Sequence, residues 1–341
     1  MNAGEAHEEM DRKRIVSGIR PTGELHLGHY LGVLKNWVAL QRDYACFYFV
    51  ADWHALTSEY KDPSIIASST HDMVATWLAV GIDPERSVVF RQSDIKEHAE
   101  LFTLLSMITP VAWLERNPTY KEMREELKEK DLGTFGFLGY PVLQAADIVI
   151  YRADRVPIGQ DQLPHLELTR EIVRRFNYLY GGPVLVEPRE ILTEAPKVPG
   201  LDGRKMSKSY GNAIFIAESE ASLRAKVMEM LTDIKRMRRK DPGEPADCNL
   251  FPFHEHFTDD DARERIVAGC RDASWGCVDC KKLLVENLLA VFGPVWERIS
   301  YYRDHAGMVD EILRAGRDRA RAEATRTMEE VRAAMKITGS A

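Results

Sequence analysis

The sequence predicts an α/β fold in which a Rossmann-like, parallel-sheet domain over about 13–212 is followed by an all-helical domain over 213–336. In the first half, short apolar runs alternate with helical patterns, and strands separated by helices indicate a parallel sheet covered on both faces. The second half is rich in Ala, Arg, Glu, Leu and Met at helical spacing, without a convincing strand. In such a sheet, ligands bind beyond the carboxyl ends of the strands.

The individual elements follow from these patterns. Apolar runs predict strands at 14–19, 45–52, 87–93 and 156–159. Helical periodicity predicts one helix that begins near Gly28. It predicts further helices at 63–80, 95–107, 119–130, 139–151 and 161–177. In the second half, a turn-rich stretch at 240–249 interrupts the helices. The last element, about 306–336, is one long charged helix that could pack back on the first domain.

Composition places the chain among ordinary globular proteins. Apolar residues make up 45% and charged residues 29% of the 341 residues, and no apolar run has the length of a membrane span. The polar N-terminus lacks the apolar stretch of a secretion signal, so we expect a cytoplasmic protein. The net charge of -7 argues against a nucleic-acid coat protein but leaves room for a local basic patch.

A glycine-rich turn, GIRPTGELHLGH at 18–29, links the first strand to the helix after it. Gly28 permits close approach of a ligand to the backbone, and the helix N-terminus offers free N–H groups to phosphate. His26 and His29 add donors three residues apart. Taken alone, the pattern favours a strand–helix connection with incidental histidines.

A second segment, KMSKS at 205–209, lies in a loop flanked by glycines. Lys205 and Lys208 can neutralise polyphosphate charge during transfer at an α-phosphate, and Ser207 and Ser209 supply further donors. Taken alone, a solvated basic loop is common.

Together, the two segments resemble the HIGH and KMSKS signatures of class I aminoacyl-tRNA synthetases. The similarity is closest to the bacterial tryptophanyl-tRNA synthetases and extends through FVADWHALT, WLERNPTYKEM, YPVLQAADI and VPIGQDQLPHLELTREIVRRFN. This resemblance implies activation of L-tryptophan by ATP, with Mg²⁺, to tryptophanyl-adenylate. It also implies transfer to the 3'-terminal ribose of tRNA(Trp), and a homodimer.

The resemblance assigns roles to residues near both signatures. Phosphate chemistry is expected of His26, His29, Lys121, Lys205 and Lys208. ATP contacts are expected of Arg20, Gly28, Asp161, Lys205, Met206, Ser207, Lys208 and Ser209. The tryptophan pocket is expected to contain Val16, Gly18, His54, Tyr140, Gln144, Asp147, Val156 and Gln162.

Asp147 is the residue that favours tryptophan. The indole ring has one polar atom, an N–H that can only donate, so a selective pocket needs a buried acceptor. By resemblance Asp147 is that acceptor, and Ala146 stands where the sister family of tyrosyl enzymes usually has Tyr. A tyrosyl-tRNA synthetase and a catalytically silent RNA-binding paralogue are the alternatives.

Four of the five cysteines fall within 33 residues: Cys248, Cys270, Cys277 and Cys280. Four thiolates can hold either zinc or a [4Fe–4S] cluster. Only one close C-x-x-C pair is present, which suits the cluster better than zinc, and a subset of bacterial tryptophanyl enzymes carries a similar motif with [4Fe–4S]. The helical domain of this family reads the anticodon, so the neighbouring basic run is a candidate tRNA contact, through Lys235, Arg236, Arg238, Arg239 and Lys240.

Overall fold

The computed structural model describes residues 12–118, 120–121, 132–193 and 198–337. Five parallel strands form one sheet in the order β3-β2-β1-β4-β5. Its strands are β1 (Arg14–Ile19), β2 (Ala45–Val50), β3 (Ser87–Arg91), β4 (Arg155–Ile158) and β5 (Arg189–Leu192). The central strands β1 and β2 are β-branched and aromatic, as expected of strands covered on both faces.

Helices connect the strands and continue beyond the sheet. The first half holds α1 (Leu27–His29), a π-helical turn (Tyr30–Leu34), α2 (Lys35–Leu40), α3 (Asp52–Glu59), α4 (Ser64–Val80), α5 (Glu97–Ser106), α6 (Val111–Glu115), α7 (Phe135–Val149) and α8 (Leu163–Tyr180). The second half holds α9 (Glu220–Glu229), α10 (Phe251–Phe257), α11 (Asp260–Arg271), α12 (Cys277–Asp304) and α13 (Ala306–Met335).

Two apolar cores lie on the two faces of the sheet. One contains Trp37, stacked on Tyr48 at a centroid separation of 4.2 Å, and continues without a break into Leu284 and Phe292 of α12. The other packs α5, α7 and α8 and includes Ala320 and Met328 of α13. The helical half therefore shares both cores with the sheet.

The long last helix, α13, packs directly on the edge strand β3. At Gly316 the helix lies so close that a Cβ would meet the carbonyl oxygen of Val89 at 1.8 Å. Ion pairs fix the same helix to α5, through Arg321 with Glu97 and Arg332 with Glu100. The last helix therefore lies against the sheet and α5.

The predicted α/β architecture is confirmed, with β1 at its predicted bounds and the other predicted strands within two residues of theirs. The sequence analysis missed β5, which is an edge strand with two charged residues among four. Most of the helix predicted at 119–130 lies outside the described residues. No helix in the described ranges is both long and apolar enough to cross a membrane.

Candidate active site and cysteine cavity

The glycine-rich turn folds around its two histidines. His26 caps α1, and its Nδ1 accepts from the Gly28 amide at 3.1 Å, while the His26 amide donates to His29 Nδ1 at 3.2 Å. A Cβ at Gly28 would meet the His26 ring at 2.8 Å, so only glycine allows this turn. Because both Nδ1 atoms accept, each neutral ring carries its proton on Nε2 and can donate it to a ligand.

Both imidazoles are held neutral. Burial, followed by the charges of Lys208 and Lys205, lowers the pKa of His26 to about 4. Burial, followed by His26, Lys208 and Arg20, lowers the pKa of His29 to about 3. At neutral pH the turn therefore presents uncharged hydrogen-bond donors next to cationic side chains.

The KMSKS loop lies against this turn, although the two are almost two hundred residues apart in the chain. Lys208 Nζ donates to the Thr22 carbonyl at 2.6 Å. The segment after the loop pairs with the turn, since the Leu27 amide donates to the Ile214 carbonyl at 2.9 Å. Met206 is buried in the core below, whereas Lys205 is exposed. The structure thus brings together the two signatures that the sequence analysis singled out.

The loop itself is held by Asn212. Its side-chain oxygen accepts from the Ser207 amide at 2.9 Å, and its amide group donates to Asp202 at 2.7 Å. The hydroxyls of Ser207 and Ser209 are 2.8 Å apart and form a hydrogen bond with each other. The polar end of the loop is therefore ordered without using the Lys205 ammonium.

Asp147 lies in the interior, only 1% exposed, on α7. Its carboxylate accepts from His54 Nε2 at 2.7 Å and from His98 Nδ1 at 2.5 Å. Gln92 Nε2 lies 2.8 Å from each of the two carboxylate oxygens and donates to both. Burial alone would raise the pKa of this carboxyl, but the two histidines outweigh burial and the net shift is downward. Asp147 is therefore an ionised acceptor in an apolar setting.

A second buried polar pair joins the same helix, α7, to α8. The Tyr140 hydroxyl is 2.9 Å from His165 Nε2, and burial lowers the pKa of His165 to about 4. Arg20 is close enough to Tyr140 to influence its ionisation, and burial lowers the pKa of this arginine. A positive charge therefore lies next to the phenol that the resemblance places in the tryptophan pocket.

The other predicted pocket residues come from neighbouring elements. Val16 and Gly18 lie on β1, where a Cβ at Gly18 would meet the Phe49 ring at 2.6 Å, and Val156 lies on β4. Gln144 is half-buried on α7. Gln162 donates to Asp161 at 3.2 Å in the short 3-10 turn after β4.

Lys121 is exposed at the end of a described stretch, and the residues that follow it lie outside the described ranges. Its expected part in binding the ATP phosphates therefore stays a prediction.

Three residues of the Asp147 network were not found from the sequence. Gln92 and His98 follow β3, and Tyr151 follows α7, so they approach Asp147 only when the chain folds. The available signal was a polar group, QSD, directly after a buried strand, at the sheet edge where ligands bind.

The four clustered cysteines line one small cavity in the helical half. Cys248 precedes α10, Cys270 is near the end of α11, and Cys277 and Cys280 form the first turn of α12. Burial, with a contribution from the three other thiols, raises the pKa of Cys280 to about 12. Among the residues that the structure describes, no three His, Cys, Asp or Glu side chains are grouped to hold a single metal ion.

The basic run next to this cavity divides into two sets. Arg236 turns inward, with NH1 3.9 Å from Cys270 Sγ and NH2 2.9 Å from the Arg239 carbonyl. It also lines the cavity and so does not lie with the outward-facing cations of the run; its expected contact with tRNA stays a prediction. The outward set consists of Lys235, Arg238, Arg239 and Lys240.

Known proteins are similar to this chain in both sequence and fold. A family model described as "tRNA synthetases class I (W and Y)" matches residues 8–293. The tryptophan–tRNA ligase of Thermotoga maritima is 54% identical over 95% of this chain and 99% of its own length. That of Ralstonia nicotianae is 45% identical over 96% and 99%.

Solved structures give the same result. Tryptophanyl-tRNA synthetase from Campylobacter jejuni, solved with ADP and tryptophan, matches with a TM-score of 0.86 and 33% identity over 95% of this chain and 99% of that one. A tyrosyl-tRNA synthetase from Archaeoglobus fulgidus matches with a TM-score of 0.67 at 20% identity, which shows a common fold alone.

Proposed function

From the membership of this chain in the class I tryptophanyl and tyrosyl family of aminoacyl-tRNA synthetases, we infer that it is a tryptophan–tRNA ligase. The observation that carries the choice of amino acid is Asp147, a buried acceptor surrounded by donors. An indole N–H can donate to this carboxylate. A site that hydrogen-bonds its substrate in this way rejects analogues that lack the N–H. The reaction joins L-tryptophan to ATP and then to tRNA(Trp).

We propose that the chemistry is performed mainly by positioning and charge stabilisation. The tryptophan carboxylate attacks the α-phosphate of ATP, which forms tryptophanyl-adenylate and releases pyrophosphate. The Nε2–H groups of His26 and His29 face phosphate oxygens, while Lys205 and Lys208 offset the charge of the leaving pyrophosphate. Mg²⁺ arrives with ATP and is held chiefly by its phosphates.

Further contacts complete the proposed sites. Arg20, Gly28 and Asp161 bind ATP with the KMSKS residues, and Lys121 reaches its phosphates. Tyr140 and Gln162 hold the α-amino group of tryptophan. The remaining pocket residues surround the indole: Val16, Gly18, His54, Gln144 and Val156.

Amino-acid-dependent exchange of pyrophosphate into ATP tests this assignment. We expect exchange with tryptophan and very little with tyrosine, because the phenol oxygen also needs a donor, which an acceptor such as Asp147 cannot supply. Exchange with tyrosine alone would identify a tyrosyl enzyme. Exchange with neither amino acid, in protein that still binds tRNA, would support the silent RNA-binding paralogue.

We propose that the helical half, 213–336, is an anticodon-binding domain in which the four cysteines hold a [4Fe–4S] cluster. The thiols come from three separate elements yet line one cavity, which suits a group with several well-separated attachment points. A single zinc ion would instead need all four sulfurs within about 2.3 Å of one point. When bound, the cluster would act as a covalent crosslink among these three elements.

Anaerobic purification tests the cysteine site directly. We expect brown protein with broad visible absorption and four iron and four sulfide per chain. Colourless protein that contains zinc would favour the alternative metal, and protein with neither would leave a simple thiol cavity.

We propose that the outward-facing cations beside this cavity bind the tRNA backbone. Ile234 directly precedes these cations and Met237 lies among them, with side chains 79% and 83% exposed, so one exposed segment carries both apolar and cationic groups. Cations contact phosphates and apolar groups pack on bases, which suits single-stranded RNA such as an anticodon loop. Replacing Arg238 and Arg239 by Gln should weaken tRNA binding and flatten its salt dependence, without affecting tryptophan activation.

We propose a homodimer, and exposed apolar side chains support it. Met107 directly follows α5 and is 74% exposed, while Val111 and Phe135 begin α6 and α7 and are 56% and 70% exposed; α5 and α6 both pack on α7. Light scattering should give a dimeric mass that falls to a monomeric mass in Phe135→Glu. The control, Tyr178→Glu, changes an equally exposed aromatic residue on α8 and should stay dimeric.

A further inference from the structure

The network around Asp147 reaches beyond the residues that can touch tryptophan. His98 is fully buried, with Nδ1 2.5 Å from Asp147 and Nε2 2.6 Å from the Tyr151 hydroxyl. Tyr151 is also fully buried and lies on the far side of His98 from the carboxylate. A chain of three polar groups therefore crosses an otherwise apolar core, in which His98 packs near Phe49 and Phe90.

The direction of the Tyr151–His98 and His98–Asp147 hydrogen bonds follows from which atoms carry protons. Burial keeps the pKa of Tyr151 well above its usual value, so its hydroxyl retains the proton and can donate to His98 Nε2. With Nε2 accepting from Tyr151, the His98 ring donates from Nδ1 to Asp147. Every group in the chain is satisfied in this arrangement, as buried polar groups require.

Gln92 fixes the carboxylate from a second direction. Its side-chain oxygen accepts the backbone amides of Trp53 at 3.2 Å and His54 at 3.4 Å, at the start of α3. The amide group of Gln92 must therefore face Asp147 and donate to both of its oxygens. Two fully buried donors thus hold the inner side of the carboxylate.

The outer side of the carboxylate, which His54 contacts, is the side that a ligand can approach. A carboxylate accepts about four hydrogen bonds, and Gln92, His98 and His54 supply four contacts. Of these three donors, only His54 is not fully buried, with its side chain 12% exposed. The acceptor position now filled by His54 is therefore the one that an indole N–H can reach.

We propose that His98 and Tyr151 are positioning residues for tryptophan selection, which hold Asp147 ionised and turned so that one acceptor position faces the indole N–H. The inference rests on the proposed role of Asp147 as the indole acceptor. Neither residue touches the substrate. Removing the pair leaves Asp147 free to rotate or to take up a proton, and it then no longer distinguishes an N–H from an isosteric group without a donor.

The test compares two buried tyrosines. Tyr151→Phe removes the hydroxyl that orients His98. Tyr48→Phe is the matched control, since its hydroxyl is also fully buried and donates to the Trp37 carbonyl at 3.0 Å, away from Asp147. Pyrophosphate exchange is measured with tryptophan and with the benzothiophene analogue, in which sulfur replaces the indole N–H.

In Tyr151→Phe, we expect the tryptophan KM to rise about tenfold, the loss that corresponds to about one hydrogen bond, and the preference for indole over benzothiophene to fall with it. The KM for ATP and the kcat should change little. Tyr48→Phe should keep the wild-type preference. His98→Leu should lose the preference further, and His98→Asn, whose amide can replace Nδ1–H, should restore part of it.

Asp147→Asn separates the possible failures. If Asp147→Asn keeps the preference for indole, the acceptor role of Asp147 itself is wrong. If Asp147→Asn abolishes the preference but the Tyr151 and His98 variants keep it, only the positioning role is overturned. Equal effects of Tyr151→Phe and Tyr48→Phe would likewise reduce the role of Tyr151 to general stability.

Discussion

Gly316 is the point at which the last helix meets the edge of the sheet, and the change Gly316→Ala should destabilise the protein. The added methyl carbon would lie 1.8 Å from the carbonyl oxygen and 2.6 Å from the carbonyl carbon of Val89. Carbon–oxygen contacts settle at about 3.3 Å, so α13 must move away from β3 by about 1.5 Å. Backbone atoms cannot rotate aside, and the ion pairs of Arg321 and Arg332 with α5 resist the movement.

The magnitude follows from two opposing effects. Overpacking against rigid neighbours costs about 3 kcal/mol, near the upper end of the usual range. Alanine is a better helix former than glycine by about 1 kcal/mol, which offsets part of that cost. We expect a net loss of about 2 kcal/mol, measured as a lower urea midpoint with an unchanged m-value.

Gly307→Ala is the matched control on the same helix. No atom lies within 4 Å of a Cβ there, so only the helix propensity acts and the variant should be as stable as the wild type or slightly more stable. If Gly316→Ala unfolds at the same urea concentration as Gly307→Ala, α13 does not rest on the backbone of β3 and the packing argument is wrong.

Three further predictions concern the proposed sites. Lys208→Ala should lower the kcat of pyrophosphate exchange about 10²- to 10³-fold in steady-state assays, with a nearly unchanged tryptophan KM, because the lysine acts on developing phosphate charge. The depressed pKa of His29, about 3, means that the unfolded chain gains a proton between pH 7 and pH 5 while the folded chain does not. As the pH falls from 7 to 5, the free energy of unfolding measured in urea should therefore decrease by about 2 kcal/mol more in the wild type than in His29→Asn. An equal dependence on pH in the two proteins would contradict the prediction. Cys280→Ser should lose iron and the broad visible absorption after anaerobic purification, whereas Cys46→Ser, which changes a buried cysteine of the strand β2, should retain both.

The sheet was largely predictable because its central strands are buried on both faces. The run Ala45–Val50 is continuously apolar, and such runs bounded by turns predict strands well. The edge strand Arg189–Leu192 is half polar, since one side of an edge strand has no neighbour, and its pattern resembles that of a loop. The π-helical turn Tyr30–Leu34 was also missed, because local periodicity does not separate five π-helical residues from the helices on either side.

The site was predictable where chemistry is concentrated in short segments. The glycine-rich turn and the KMSKS loop each carry several functional groups in a few residues, so their spacing can be interpreted directly. The support for Asp147 is distributed over Gln92, His98 and Tyr151 on different elements, and no spacing along the chain indicates it. Arg236 shows the same limit, since a run of cations does not reveal which one turns inward.

The two signatures are coupled electrostatically as well as spatially. After burial, the lysines of the KMSKS loop make the next largest contribution to the low pKa of His26, and Lys208 also contributes at His29. Burial and these lysines together keep both imidazoles neutral, with their Nε2–H groups ready to donate before ATP arrives. A bound triphosphate would offset the same ammonium charges, so the pKa of both imidazoles would rise again. Donation to the phosphate should then strengthen as negative charge develops, so that the loop which binds the leaving group also adjusts the donors on the attacked phosphate.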